Sequence, residues 1–308
     1  MKREEFLKEC EKLSREELIL KAEEFRNTLK GFDEETEKLM HSLDEETCLE
    51  EIYQETSFGR THIYLVRPEG AENTKLPVMV NVHGGGWTLP HGYRDIFFCR
   101  RLANRLNILV CDVDYVLAPE APYPAALIEI EALLSELSRL LPGWGGDPSN
   151  VVLCGQSAGG NLIAAVSERR KYNAEGLNIR AQILCYMPSD NVEDQFDGKD
   201  IDERALRSEY YGFFYNTNQK ERANFDVSLT YSNSEHIKGL LPTEIITAGL
   251  DTLTRSTKKY NAMLRDNGVP GNYKCFSNSH HGFMVNLYDE YKEAEDYLSE
   301  LMKKYFRL

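Results

Sequence analysis

At 308 residues, with 42% hydrophobic and 28% charged side chains, the chain has an ordinary globular composition and enough length to bury a large core. Its net charge of −14 argues against nucleic-acid phosphates and weakly against anionic membranes; residues 1–51 hold 17 of the 50 acidic side chains and only 9 of the 36 basic ones, as solvated helical faces do. Seven cysteines without a C-x-x-C pair point to a reducing compartment rather than a disulfide framework, and with neither an apolar leader nor a membrane-length apolar run a cytoplasmic protein is expected.

Leu18, Ala22, Phe25, Leu29 and Phe32 recur at steps of four and three, so residues 3–45 read as amphipathic helices laid on something larger. Glu51–Thr56 and Thr61–Arg67 alternate as two strands of a hairpin turning at Ser57-Phe58-Gly59. Leu76–Val82 is a strand that ends in the glycines of "HGGGW". Residues 94–106 suit a helix and Ile108–Val113 the next strand. Leu127, Ile130, Leu134, Leu137 and Leu141 mark a helix stopped by Pro142 and Gly143. Val151–Cys154, then Ile179–Met187, Thr243–Ala248 and Asn272–Phe276, are strand-like, and Cys111, Cys154, Cys185 and Cys275 fall in such runs as small buried hydrophobes. Helices are expected after Ser157, over Ser256–Asn267 with Gly268 as its cap, and along Tyr291, Ala294, Leu298, Leu301 and Tyr305. Residues 190–238, with "EYYGFFY", break this rhythm and read as an insertion carrying short helices. The alternation elsewhere implies a mainly parallel sheet covered on both faces, with its site at the carboxyl ends of the strands.

Three pieces carry chemistry. In "GQSAGGN" the glycines at 155 and 159 permit a sharp strand-to-helix turn that leaves Ser157 exposed at the strand tip, where a base could activate it. The glycines of His83-Gly84-Gly85-Gly86-Trp87 free backbone N–H groups to face a cavity; with the N–H of Ala158 they could hold an oxyanion, and no G-K-[ST] follows to make a nucleotide loop. Asp251 follows a strand, and His281 lies in "NSHHGF" after the last one. The order Ser157, Asp251, His281 is that of a hydrolase triad, with separations of 94 and 30 residues.

"HGGGW", "DYVLAPEAPYPAA", "GQSAGGN" and "HHGF", in this order over roughly residues 60–300, resemble the hormone-sensitive-lipase-like branch of the α/β-hydrolase family, bacterial esterases with an H-G-G-G motif. The resemblance implies one α/β-hydrolase domain over 1–308, an eight-stranded sheet, and a helical cap from residues 1–45 and 190–238. It makes Ser157 the nucleophile, His281 the base, Asp251 its partner, and Gly85, Gly86 and Ala158 the oxyanion-hole donors. It implies hydrolysis of short-chain carboxylic esters, a small-molecule substrate, no metal and no cofactor; a homodimer is left open. An amidase or formamidase on a small acyl-amine would use the same machinery. A non-catalytic binding protein on the same fold, like the plant hormone receptors that resemble this family, is the reading from another class. The chain departs from the family at Gln156, where an acid is common, and at Arg255, where a second aspartate is usual.

Asp190 is the alternative acid, and His83 is expected to anchor the glycine loop. His280 should face away from His281. Asp114, Tyr115, Pro119, Pro122 and Pro124 are expected to shape a rigid loop. Trp87 is expected at the substrate pocket, and Tyr210, Tyr211, Phe213, Phe214 and Tyr215 in the core of the cap.

Overall fold

The computed structural model describes residues 1–28, 31, 33–34, 36–38, 46–71, 74–171, 176–194, 199–201 and 203–308. Leu29 and Phe32 of the predicted N-terminal stripe lie outside the described residues, as do parts of 1–45 and 190–238. The eight strands form one sheet in the order β1-β2-β4-β3-β5-β6-β7-β8. They are β1 (Thr47–Thr56), β2 (Gly59–Pro68), β3 (Leu76–Val82), β4 (Leu109–Asp114), β5 (Gly146–Gln156), β6 (Ile179–Cys185), β7 (Thr243–Ala248) and β8 (Tyr273–Phe276). β1–β2 and β2–β4 pair antiparallel, and every other pairing is parallel. After β3 the chain moves to one side to form β4 and then crosses to the other to form β5. This reversal leaves a crevice at the carboxyl ends of β3 and β5, where such sheets bind ligands.

The helices in chain order are α1 (Arg3–Cys10), α2 (Arg15–Arg26), α3 (Tyr93–Leu106), α4 (Ala125–Leu140), α5 (Ala158–Arg170), α6 (Glu203–Tyr215), α7 (Ser234–Ile237), α8 (Thr254–Asp266), α9 (Phe283–Asn286) and α10 (Tyr291–Phe306). Alternation along the strands decides which helix covers which face. Val78, Val80, Val82 and Leu153 pack with Leu134 of α4, Leu162 of α5 and Tyr260 of α8. Met79, Val152 and Ile246, pointing the other way, pack with Phe98 of α3 and with Leu298 and Met302 of α10. A third cluster joins Phe6 of α1, Leu18 and Ala22 of α2, and Phe213 and Phe214 of α6. The start of α2 is set locally: the Ser14 hydroxyl accepts the Glu17 N–H, and the Glu17 carboxylate accepts the Ser14 N–H.

The boundaries differ from the sequence pattern for identifiable reasons. The hairpin extends to Thr47 and Pro68 because Thr47–Glu50 pair through their backbones, which a Glu-rich, half-exposed strand conceals. β5 begins at Gly146, since the polar Gly146–Asn150 run, which reads as a turn, pairs with β3 at Leu76. β6 ends at Cys185 instead of Met187, as Tyr186 has φ +38° and turns the chain. Cys275 is partly exposed, against expectation, because β8 is an edge strand. Among the described residues no helix is long and apolar enough to cross a membrane.

Candidate active site

Gln156 is the last residue of β5 and Ala158 the first of α5, so Ser157 alone makes the turn, at φ +51° and ψ −120°. Its N–H donates to the Cys185 carbonyl (2.8 Å), which fastens the turn to β6. The helix can start this close to the sheet only because residue 159 is glycine: a Cβ there would lie 1.9 Å from the Val82 carbonyl oxygen. The Ser157 hydroxyl lies 2.8 Å from His281 Nε2. His281 Nδ1 lies 2.6 Å from Asp251 Oδ2, and Asp251 Oδ1 accepts the Leu253 N–H at 3.0 Å. The loops that carry these two residues are fastened to each other. Gly249 N–H donates to the Phe276 carbonyl (2.7 Å) and Leu250 N–H to the Ser279 carbonyl (3.0 Å). Tyr288 hydroxyl donates to the His281 carbonyl, and the Tyr186 ring meets the imidazole edge-on at 5.4 Å.

The loop after β3 passes beside this serine, so close that a Cβ on Gly84 would be 3.2 Å from Ser157 Cβ. The Gly85 carbonyl accepts N–H groups from Thr88 and Leu89, closing the loop into a turn with φ +128° at Gly85 and +60° at Gly86. Gly86 also lies under the Tyr211 ring, with no space for a side chain. Among the described residues, nothing accepts a hydrogen bond from the N–H of Gly85, Gly86 or Ala158. Ala158 opens a helix, where the N–H has no intrahelical acceptor and the local field is positive.

His83 is fully buried and stacks on Tyr115 at 4.4 Å, and its Nδ1–H donates to the Gly84 carbonyl at 2.6 Å. Burial and the neighbouring His91 push its pKa down to about 4, so the ring is neutral at pH 7. His280 turns outward to Asp289, 2.9 Å away. Asp190 accepts the N–H groups of Val192 and Glu193 and the Thr230 hydroxyl, and the structure does not bring it to His281. Trp87 is 3% exposed and stacks on Tyr215 at 4.4 Å, so it forms a wall of the cavity more than an open contact surface. The aromatic run divides: Phe213 and Phe214 are core with α1 and α2, while Tyr211 lines the cavity. Arg255 reaches away from Asp251 to Glu193, 3.5 Å distant, which Lys259 also contacts.

Gln156 belongs to a buried polar chain that sequence reasoning missed. Its Nε2 donates to Asn81 Oδ1 (2.9 Å), Asn81 Nδ2 donates to Asp112 Oδ1 (2.8 Å), and Asp112 Oδ2 faces His91 Nε2 (2.7 Å). Burial alone would lower the His91 pKa, but the Asp112 carboxylate outweighs it and holds the imidazole up at about 9. The pair ties the far end of the glycine loop to β4. Because the folded pKa lies above the ordinary value near 6.5, the contribution of this pair to stability is complete below about pH 6.5 and is lost as pH rises through about 9. His91→Gln is therefore expected to cost about 1–3 kcal/mol near neutral pH. In urea titrations at pH 6 to 9.5 it should flatten the decline of the unfolding midpoint seen in the parent; parallel declines would refute the charged pair.

A cavity of about 500 Å³ opens over Ser157 and is bounded by Gly85, Gly86, Trp87, His281 and the inner face of α6. Among the described residues no cluster of His, Cys, Asp and Glu side chains could hold a metal ion. The site thus presents a hydroxyl in contact with an imidazole, a carboxylate behind that imidazole, and free N–H groups beside the hydroxyl. Such a set can support nucleophilic attack on a carbonyl carbon.

Residues 79–285 match a family described as alpha/beta hydrolase fold. The chain is similar to carboxylesterase NlhH of Mycobacterium tuberculosis, with 30% identity over 202 residues, 63% of this chain and 62% of that protein. It is also similar to AB hydrolase superfamily protein C1039.03 of Schizosaccharomyces pombe, with 28% identity over 232 residues, 72% of this chain and 67% of that protein. These matches span about two thirds or less of the relatives' own length. Among solved structures, a hyperthermophilic esterase from the archaeon Pyrobaculum calidifontis superposes with a TM-score of 0.78 at 23% identity, covering 92% of this chain and 93% of that one, a likeness of fold.

Proposed function

The chain belongs to the alpha/beta hydrolase fold family, and on that basis we propose that it is a serine carboxylesterase of the hormone-sensitive-lipase-like branch, acting on short-chain esters. The observation that carries this reading is the pair of hydrogen bonds joining Ser157, His281 and Asp251 (2.8 and 2.6 Å) beside the free N–H groups of Gly85, Gly86 and Ala158. Esterases among the relatives support it.

In this mechanism the Ser157 oxygen bonds to the ester carbonyl carbon as its proton passes to His281 Nε2. Asp251 holds Nδ1–H, which fixes the tautomer and stabilises the imidazolium. The carbonyl oxygen, now negative, is received by the glycine-loop and Ala158 N–H groups. Collapse breaks the bond to the alcohol oxygen, which takes the proton from Nε2 and leaves. Water, deprotonated by the same nitrogen, then attacks the acyl-serine; carboxylic acid departs and Ser157 regains its proton.

Short acyl chains fit a cavity of about 500 Å³ roofed by Tyr211 and walled by Trp87. Each methylene that found room would contribute about 0.8 kcal/mol, nearly fourfold in kcat/KM. With p-nitrophenyl acetate, butyrate, octanoate and palmitate below their micellar limits, kcat/KM is expected to peak between acetyl and butyryl. A rise continuing to octanoyl would overturn the short-chain assignment, and no turnover of any ester would overturn the esterase.

A further inference from the structure

The inner wall of the cavity carries a charge pattern that ester hydrolysis does not use. Four arginines line it, Arg3, Arg94, Arg207 and Arg222. Arg3 is fully engaged, with Nε on Glu209 (2.8 Å) and its two terminal nitrogens on the carbonyls of Val192 and Asn191. Arg94 lies 3.6 Å from the Asp95 carboxylate. Arg207 and Arg222 differ: among the described residues neither has a carboxylate within ion-pair distance. Arg207 donates from Nε to the Tyr211 hydroxyl (2.6 Å) and from Nη2 to the Phe25 carbonyl (3.2 Å), both neutral acceptors. Arg222 is 2% exposed, donates from Nε to the Asn216 carbonyl (3.2 Å), lies over the Phe213 ring, and leaves Nη2 buried without an acceptor.

The cavity's acids do not neutralise these two. Glu209 is held by Arg3, Glu193 by Arg255 and Lys259, and Asp251 by His281. Asp190 is taken up by two backbone N–H groups and Thr230. Burial and the nearby Arg3 lower the Arg222 pKa to about 10 against the pull of Glu209, which still leaves it charged at neutral pH. Among the described residues, Arg207 thus stands in the cavity wall without an ion-pair partner.

The position of Arg207 relative to the scissile bond is defined. Tyr211 lies directly on Gly86, and its hydroxyl end holds Arg207. One tyrosine ring therefore separates the proposed oxyanion donor from the guanidinium. We infer that the substrate is an anionic ester whose carboxylate, several bonds from the scissile carbonyl, is received by Arg207. The guanidinium fork suits a carboxylate, which accepts two parallel N–H bonds. This substrate class rests on the esterase reading, and the test separates the two.

Hydrolysis of p-nitrophenyl acetate by the full chain reports the esterase. The inference is read from the ratio of kcat/KM for monoethyl adipate to that for ethyl hexanoate, esters of the same chain length with and without a terminal carboxylate, followed by pH-stat. The ratio is expected to exceed one, to fall about tenfold or more in Arg207→Gln, and to recover in part in Arg207→Lys. A parent ratio below one, or a ratio untouched by Arg207→Gln, overturns the proposal. Thermal melts accompany each variant, and the Arg207→Lys recovery decides if Arg207→Gln loses stability. If none of the p-nitrophenyl esters is turned over, the esterase reading fails. Calorimetric binding of monoethyl adipate then decides: binding lost in Arg207→Gln supports the anion site, and no binding, or binding that Arg207→Gln leaves intact, overturns it.

Discussion

Ser157→Ala is expected to lower kcat for p-nitrophenyl acetate by about 10⁴ to 10⁶ while leaving the thermal melt close to that of the parent. The reason lies in what the substitution removes and what it keeps. It deletes the oxygen 2.8 Å from His281 Nε2, and with it the only atom so placed to become acyl-bonded in the proposed mechanism. It keeps the Cβ, the φ of +51° and the N–H bond to the Cys185 carbonyl, so the turn between β5 and α5 should persist. Intact-mass analysis after treatment with a fluorophosphonate should place one adduct on Ser157 in the parent and none in the variant. Turnover near the parent level, or an adduct elsewhere, would refute the assignment.

The adjacent histidines should separate almost as widely. His281→Ala removes the group that bonds both the serine and Asp251, and kcat is expected to approach the Ser157→Ala loss. His280→Ala removes only an exposed contact with Asp289 and should stay within about threefold of the parent, since exposed ion pairs contribute about 0–1 kcal/mol. The acids should divide the same way. Asp251→Asn disturbs the tautomer of the base, for an expected loss on the order of 10³ to 10⁴ in kcat. Asp190→Asn loses contacts with Val192, Glu193 and Thr230, and its effect should appear mainly in stability. Steady-state kinetics with circular dichroism on each variant checks this. A larger loss for His280→Ala than for His281→Ala, or for Asp190→Asn than for Asp251→Asn, would reverse the assignments.

Several residues at the cavity carry signals that are easy to overlook in the sequence. Arg207 and Tyr211 are spaced by four and line the cavity from one face of α6. That spacing separates the cavity-facing side from Phe213 and Phe214, which pack on α1 and α2. Within "EYYGFFY" composition alone cannot make this division, because Tyr210, Tyr211, Phe213, Phe214 and Tyr215 are all aromatic. Tyr186, at φ +38° just past β6, has no comparable signal; its place against His281 depends on β8 lying two strands away.

What the sequence by itself determined is what is chemically local. The strand, glycine-flanked serine and helix around Ser157 are legible because a turn that tight excludes other residues, as the 1.9 Å approach at position 159 makes plain. The alternation of strands and helices announces a parallel sheet because apolar period and turn residues act over a few positions, and the order Ser157, Asp251, His281 follows from strand ends that can be counted along the chain. Tertiary structure alone decided the rest. It supplied the bonds between the loop after β8 and the loop after β7 that hold His281, already singled out in the sequence, against Ser157 and Asp251. It joined Gln156, Asn81, Asp112 and His91 into one buried chain although up to 75 residues separate adjacent members. It also left Arg207 lining the cavity with no carboxylate within ion-pair distance among the described residues, while Arg3 took Glu209 from 206 residues away. Such pairings have no period and no motif, because their energy depends on which groups share a low-dielectric space, and that is settled only when the sheet and the helices over its carboxyl ends have packed.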